Sequence, residues 1–486
     1  MQRQHITSVQ LMERAGGVFV DWFKERFGRQ QMPIVVLCGT GNNGGDGLVI
    51  ARLMHAYGYE VRAVVLDFSG RRSPEFEHQW AVCEAVPSLP LTSLSDISDL
   101  PPWPKGAMLI DAIFGSGLNR PLQRQYAAVA DWVHASGLPV VAVDIPTGLL
   151  SDAHTAPRSG LRAAHTLIFE VPKLAFFFPE NAEHVGEWAV RSIGLDRDFA
   201  EQTSSTYHWL DAEYVRRLVL PRRRFSHKGT FGHALLVAGS RGKMGAAVLA
   251  ARACLRAGAG LLTLRSAGCG LDVLQGAVPE AMCDPDPEQA RWTECPDLER
   301  YAAIGVGCGI GTAEETAEAL EALLEQSRQP LVLDADALNI LAQRTHLWAK
   351  VPAQSILTPH PKEFERLFGA VAHDFDRNRL QCDMAQQHGI YILLKGAHSA
   401  MACPDGTCWF NSTGNPGMAT GGSGDVLTGV LTGLLAQGYD PRSALLLGVY
   451  LHGLAGNLAA AAQSQQALLA SDLVDCLGKA WLHLQP

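Results

Sequence analysis

Asp425 closes the run Gly421-Gly-Ser-Gly-Asp425, and an apolar stretch at helical spacing, residues 426–435, follows it directly. Three glycines in four positions cannot belong to a helix interior, so a helix is expected to begin near Gly424. Backbone N–H groups are then uncovered where the helix presents its unpaired amides and positive dipole end. Such an end binds anions, and phosphate is its usual occupant. A carboxylate beside a phosphate is repelled by it, so Asp425 has two readings. It either caps its helix or serves as a general base toward a hydroxyl about to meet the phosphate. No Lys-Ser/Thr follows the glycines, so this is not a P-loop.

A second group lies in the first half. The apolar run Pro33-Ile-Val-Val-Leu-Cys38 reads as a buried parallel strand, and Gly39-Thr-Gly-Asn-Asn-Gly-Gly-Asp-Gly47 follows it. A helix is expected to open at Leu48. Strand, glycine turn and helix make the βα unit that binds phosphates in Rossmann-like sheets. Asn42, Asn43 and Asp46 are unusual in such a turn, where dinucleotide folds keep glycines and small residues. They point to a ribose, a polar ring or a metal ion, or to an Asx-turn alone. Further strands are expected over residues 61–66, 107–111 and 140–144, the last two ending in Asp111 and Asp144. Ligands of open parallel sheets sit outside the carboxyl ends of the strands. Asn43, Asp111, Asp144 and Thr147 could therefore converge, and their oxygens suit a hard cation better than zinc.

These residues need sheets and helices to hold them. With 486 residues the chain exceeds one ordinary core, and two or three domains are expected. Apolar residues at 47% and charged residues at 18% are globular values, and 48 glycines fit the many turns of an α/β protein. The net charge of −9 excludes a binder that holds nucleic acid on a basic face. No uninterrupted apolar run approaches the ~20 residues of a membrane span. The first residues lack an apolar signal core. Eleven cysteines without a Cys-x-x-Cys read as free thiols of a reducing compartment, so a cytoplasmic protein is expected.

Residues 9–23 are apolar at helical spacing. A strand is expected from His165 toward Lys173. Residues 211–224 read as a short helix and an exposed linker whose Arg222-Arg-Arg224 is a solvated surface or a phosphate contact. The second half repeats the alternation, with strands expected at 233–240 and 258–264, one within 302–311 ending in a glycine loop, one within 330–339 ending in two carboxylates, and one within 389–399. Residues 246–257 read as a small-residue helix packed on the sheet. His360 stands between prolines, an odd place for a core histidine. His452 sits on an apolar helix and reads as a buried, hydrogen-bonded histidine. No internal repeat is visible.

Assembled, these stretches resemble the family that fuses an NAD(P)H-hydrate epimerase to an ADP- or ATP-dependent NAD(P)H-hydrate dehydratase. The resemblance covers nearly the whole chain. It rests on Gly41-Asn-Asn-Gly-Gly-Asp-Gly47, Asp111-Ala-Ile-Phe-Gly-Ser-Gly117 and Asp144-Ile-Pro-Thr-Gly148 in the first half. In the second it rests on Leu333-Asp-Ala-Asp-Ala-Leu-Asn339, Thr358-Pro-His-Pro361, Lys395-Gly-Ala-His-Ser399 and residues 414–427. It implies an α/β protein of two domains, Rossmann-like over 1–210 and ribokinase-like over 220–486.

In the first domain the resemblance implies that the hydrated nucleotide lies on Asn42, Asn43, Gly44, Gly45 and Asp46. The loop Gly115, Ser116, Gly117, Leu118, Asn119, Arg120 and Pro121 and the carboxylate Asp144 complete that site. It puts K⁺ on Asn43, Asp111 and Thr147. In the second domain the hydrate falls on Ala246, Gly309, His360 and Asp425. The adenine nucleotide falls on Lys395, Gly396, Ala397, His398, Ser399 and Gly424. Thr40, Lys362 and Phe364 depart from the family pattern. The apolar run after Lys173 does too, which leaves Lys173 without an assigned role.

The implied activity is repair of hydrated NADH and NADPH (NADHX and NADPHX). Asp425 would be the base of the dehydration, with ADP or ATP as co-substrate and Mg²⁺ on its phosphates. Asp144 would be the acid or base of epimerisation, through ring opening or an iminium. A homo-oligomer is expected. The alternative is a ribokinase-like kinase of a small vitamin or sugar alcohol with a nucleotide-sensing first domain. A nucleotide-binding regulator without chemistry is a further rival. Asn42-Asn43 breaks the pattern of an ordinary dehydrogenase.

Overall fold

The short apolar runs pair into two sheets. In the computed structural model, residues 4–28, 32–157 and 159–485 are described, so the first three residues of the opening stretch lie outside them. One compact unit comprises Met1–Ser204 with His373–Phe375, the other Ser205–Ala372 with Asp376–Pro486.

The first unit holds β1 (Ile34–Cys38), β2 (Val61–Leu66), β3 (Leu91–Leu94), β4 (Met108–Ala112), β5 (Val140–Val143), β6 (His165–Phe169) and β7 (Glu187–Arg191). Its helices are α1 (Ser8–Phe27), α2 (Asn42–Ala56), α3 (Pro74–Glu84), α4 (Gln125–Ser136), α5 (Ala182–Val185) and α6 (Arg197–Gln202). The strand order is β3-β2-β1-β4-β5-β6-β7, every pair parallel. Successive residues of β1 serve opposite faces. Ile34, Val36 and Cys38 pack with residues of α1, α2 and α3, while Val35 and Leu37 pack with Val129, Ala130 and Val133 of α4. That is why the run is continuously apolar. The order reverses between β1 and β4, and the crevice at such a reversal is where doubly wound sheets bind ligands.

The second unit holds β8 (Tyr207–Leu210), β9 (His233–Val237), β10 (Leu261–Ser266), β11 (Met282–Pro285), β12 (Ala303–Val306), β13 (Leu331–Leu333), β14 (Ile356–Leu357), β15 (Tyr391–Leu394), β16 (Ala400–Ala402) and β17 (Cys408–Asn411). Its helices include α7 (Ala212–Leu218), α8 (Met244–Ala257), α9 (Leu271–Ala277), α10 (Glu314–Gln326), α11 (Asp336–Gln343) and α12 (Pro361–Phe368). Then come α13 (Asp374–His388), α14 (Ser423–Ala436), α15 (Pro441–Gln463) and α16 (Ala470–Leu484). The order β11-β10-β9-β12-β13-β14-β15 is again doubly wound, with its reversal between β9 and β12. The same architecture thus appears twice without a repeat in sequence. The antiparallel β16 and β17 extend the sheet, and β8 pairs parallel to β17 at its edge. Residues 205–210 therefore belong to the second unit, although the expected boundary put them in the first domain.

The alanines of α8 meet a helix as well as the sheet. A Cβ on Gly429 of α14 would overlap the Ala250 carbonyl oxygen, and one on Gly433 would stand 2.5 Å from the Cys254 carbonyl oxygen. Backbone cannot yield as a side-chain tip can, so Gly429→Val is expected to cost at least the ~1–3 kcal/mol of ordinary overpacking. Denaturant unfolding of the full chain measures it. Gly478→Ala on α16, where nothing lies within 4 Å, should be neutral or stabilising. Equal stability of the two variants would refute this account of the α8–α14 contact.

By length and composition, the 23-residue α15 could cross a membrane, since an 18-residue window of it has a mean hydropathy of 1.5. In the fold, 72% of that window is buried, as befits a core helix.

Candidate functional site

The reversal in the first sheet opens into a cavity of about 780 Å³. Its lining contains Asn42, Asn43 and Asp46 of α2, the loop residues Gly115 to Arg120, and Asp144 just after β5. Three expected residues do not line it. Helix α2 starts at Asn42, not Leu48, which turns Gly44 and Gly45 inward. A Cβ on Gly44 would overlap the Gly39 carbonyl, and one on Gly45 would meet Met12 at 2.6 Å. These glycines let the helix approach β1 and α1. Pro121 is exposed outside the lining.

Lys173, left without a role by the sequence, lines the same cavity. The chain turns back after β6 and brings its Nζ to 2.7 Å from Asp144 Oδ1. Asp144 adopts φ +66, rare outside glycine, and non-glycine residues held there cluster at functional sites. The Asp46 carboxyl is held well above its ordinary value by burial and, secondarily, by the Asp144 charge. Met12 and Ala15 of α1, Phe169 and Ile193 add apolar walls that helical or strand periodicity alone assigns to the core.

Behind the cavity, Asp111 is fully buried. Its Oδ1 accepts from Thr147 Oγ1 at 2.6 Å and from the Ile113 amide at 3.2 Å, and its Oδ2 from the Thr147 amide at 2.7 Å. Burial pushes its carboxyl up to about 6, against the pull of those hydrogen bonds. Asn43 packs on the loop that leaves β4, where a Cβ on Gly115 would lie 3.4 Å from Asn43 Oδ1. Asn43 Nδ2 is buried without a hydrogen-bond partner among the described residues. Turning the amide by 180° offers a carbonyl oxygen there instead. Carboxylate, hydroxyl and amide oxygens form a donor set fit for a hard cation.

In the second unit, α14 begins at Ser423 behind Gly422, whose φ of +93 only glycine adopts readily. The N-cap position is Gly422 and Asp425 lies within the first turn, so Asp425 is not the N-cap residue of that helix. Burial raises its carboxyl, a hydrogen bond from the Cys308 thiol opposes this, and nearby Asp334 and Asp336 raise it while Lys395 lowers it. Lys395 Nζ lies 2.7 Å from Asp334 Oδ1, and Thr428 Oγ1 donates to Asp334 Oδ2 at 2.7 Å. Burial works to lower the Lys395 ammonium, but the Asp334 charge and hydrogen bond outweigh it and hold it above its ordinary value. A Cβ on Gly424 would come within 3.4 Å of that ammonium. A cation therefore stands at the helix start where the phosphate charge would collect.

Of the rest of the expected set, Ala246 and Gly309 meet at the second reversal, while His360 and residues 395–399 follow the ends of β14 and β15. Gly309, at φ +66, packs so that a Cβ would meet Ala246 at 3.2 Å. Residues 395–399 form the turn between β15 and β16, tied by Gly396 N–H to Ser399 Oγ at 3.3 Å. His360 caps α12, its Nδ1 accepting from the Lys362 and Glu363 amides, with Nε2 3.4 Å from Glu363 Oε1. His452 is buried as expected, at 3.0 Å from the Ser423 carbonyl, and burial pushes it down to about 4. It is thus neutral, and its Nε2–H braces the start of α14. Asp334 was missed as a partner of Lys395. A carboxylate at the end of a strand was visible, but not which lysine it would meet.

Two doubly wound α/β units, one with a cavity at its reversal and one with a glycine-led helix start beside a carboxylate and a lysine, define a two-domain nucleotide-directed enzyme. A family model for NAD(P)H-hydrate dehydratase matches residues 234–479, and one for the YjeF-related protein N-terminus matches residues 8–175. The bifunctional NAD(P)H-hydrate repair enzyme of Moorella thermoacetica is 38% identical over 97% of this chain and 92% of its own length. The Escherichia coli one is 33% identical over 91% and 84%. The crystal structure of the ADP/ATP-dependent NAD(P)H-hydrate dehydratase from Bacillus subtilis, co-crystallized with ATP/Mg²⁺, has a TM-score of 0.52 and 36% identity. It covers 57% of this chain and 99% of that one. A ribokinase-like superfamily protein from Enterococcus faecalis gives 0.51 at 27% identity, covering 58% and 99%. The chain belongs to the family of bifunctional NAD(P)H-hydrate repair enzymes.

Proposed function

We propose that the first domain interconverts the R and S epimers of hydrated NADH and NADPH, and that the second dehydrates the S form at the expense of ADP or ATP. The membership of both halves in one bifunctional family favours this reading over a small-molecule kinase. The observation that carries the chemistry is Asp425, half-buried in the first turn of α14 beside Lys395.

Water added across C5–C6 of the dihydropyridine leaves a hydroxyl at C6, a poor leaving group. Asp425 takes its proton, the oxygen takes the terminal phosphoryl group of the nucleotide, and ADP leaves as AMP. The C6–O bond then breaks, phosphate departs, and loss of a C5 proton restores NAD(P)H. The amides of α14 and the Lys395 ammonium stabilise the phosphoryl group in transfer. Mg²⁺ would shield the nucleotide phosphates from Asp425, and it is expected mainly on those phosphates. In the first domain Asp144 takes the C6 hydroxyl proton as the C6–N1 bond opens. The electron pair moves to N1, which receives a proton in return, and closure on the other face gives the other epimer. Asn43, Asp111 and Thr147 would hold K⁺, whose charge would compensate buried Asp111 and brace the loop after β4. The cytoplasm is the proposed compartment, supported by eleven free cysteines.

Recovery of NADH absorbance from a mixture of hydrate epimers, with and without ADP and Mg²⁺, tests both activities. Full recovery that requires the nucleotide is expected. Recovery that stalls once one epimer is consumed would remove the epimerase. No recovery with either nucleotide, alongside a stable phosphorylated product, would return the chain to the kinase reading.

A further inference from the structure

We propose that Lys173 is a positioning residue for epimerisation, holding one oxygen of Asp144 so that the other is the atom that handles the proton. The proposal rests on the epimerase reading above. Lys173 Nζ donates to Asp144 Oδ1 at 2.7 Å, to the Val171 carbonyl at 3.2 Å and to the Phe169 carbonyl at 3.3 Å. Three N–H donors meet three acceptors, so the ammonium has no proton left for substrate. It is a clamp, not itself an acid or base. Asp144 Oδ1 also accepts from the Phe169 amide at 3.2 Å. Oδ2 accepts no hydrogen bond among the described residues, although the side chain is only 15% exposed and lines the cavity.

The backbone is built for this arrangement. Asp144 stands at φ +66 and Glu170, where the chain turns back after β6, at φ +59. Two non-glycine residues in the left-handed region bring the end of β5 and the segment after β6 together, and such strain persists where surrounding structure imposes it. Lys173 is itself 14% exposed, so the pair is shielded and its geometry is well defined. Other charged groups lining the cavity are Asp46 from α2, Glu75 from α3 and Arg120 from the loop after β4. Asp46 is pushed toward its neutral form by burial and by the Asp144 charge. One ammonium therefore serves one carboxylate.

The test follows conversion of the purified R hydrate to S by the full chain without nucleotide, so that dehydration is silent. K173M removes the clamp and the charge. Its kcat should fall by about 10²-fold, the scale of a misplaced catalytic group, with KM near the wild-type value. K173R keeps the charge with a different shape, so it should recover part of the loss. Dehydration of the S hydrate checks that each variant chain is folded in its second domain. Wild-type kcat in K173M overturns the proposal, as does a loss confined to KM. Should K173M not fold, K173R decides alone, with a fall of about tenfold expected and unchanged kcat overturning the clamp. A wild-type chain that does not interconvert the epimers overturns the epimerase reading itself, which keeps the two failures apart.

Discussion

Asp425→Asn is expected to lower dehydratase turnover by about 10²–10⁴-fold, the usual contribution of a general base, with little change in KM for the hydrate. Asn keeps the size and most hydrogen bonding of Asp, so α14 should start as before and the loss should fall on kcat. A residue that only capped the helix would instead show in stability, and the N-cap position of α14 is Gly422. The pH dependence has a definite sign. Asp425 works as a base only when ionised, so turnover falls as pH drops through its titration. Burial and the charges of Asp334 and Asp336 raise that carboxyl, outweighing the Cys308 hydrogen bond and the Lys395 charge. The low-pH limb of wild-type kcat should therefore lie above the range of an ordinary aspartate. Epimerisation in the same variant should be unaffected. Near-full dehydratase turnover in Asp425→Asn would hand the proton transfer to another group.

Asp144→Ala should abolish enzymatic epimer exchange while dehydration of the S hydrate proceeds at the wild-type rate. In the mixed-epimer assay NADH recovery would be rapid at first, stop when S is exhausted, and then creep at the spontaneous rate. The expectation follows from the cavity, where Asp144 is the carboxylate clamped by Lys173 and Asp46 is held toward its neutral form. Adding a separate epimerase-competent chain should restore full recovery. Continued enzymatic exchange would exclude Asp144 as the acid or base. Loss of both activities would indicate misfolding instead.

Much of this arrangement follows from local patterns. Apolar runs, unbroken in β1 and β5 and interrupted only by Arg62 in β2 and Asp111 in β4, marked these strands, because strands buried on both faces leave no regular polar alternation. Carboxylates at the ends of β4 and β5 and glycines before α14 announced both sites, because doubly wound sheets place ligands at strand ends. Position along the chain was enough for these.

Other features are pairings between distant segments, and no local pattern contains them. The amphipathic reading of α1 held over Ser8–Phe27, yet that Met12 would fill the space beside Gly45 depended on how α1 packs on α2. Strand β8 is short and partly exposed, and it becomes a strand by pairing with β17 some two hundred residues later. Lys173 reaches Asp144 only because the chain reverses after β6 through a left-handed Glu170. Asp334 meets Lys395 only because β13, β14 and β15 lie side by side. The sequence by itself determined the two α/β units, the glycine-led helix start and the identity of the carboxylates, since backbone conformation and burial pattern are local. The tertiary structure alone decided which cation stands beside which carboxylate, because that depends on strand order, and strand order is set by contacts made across the whole chain.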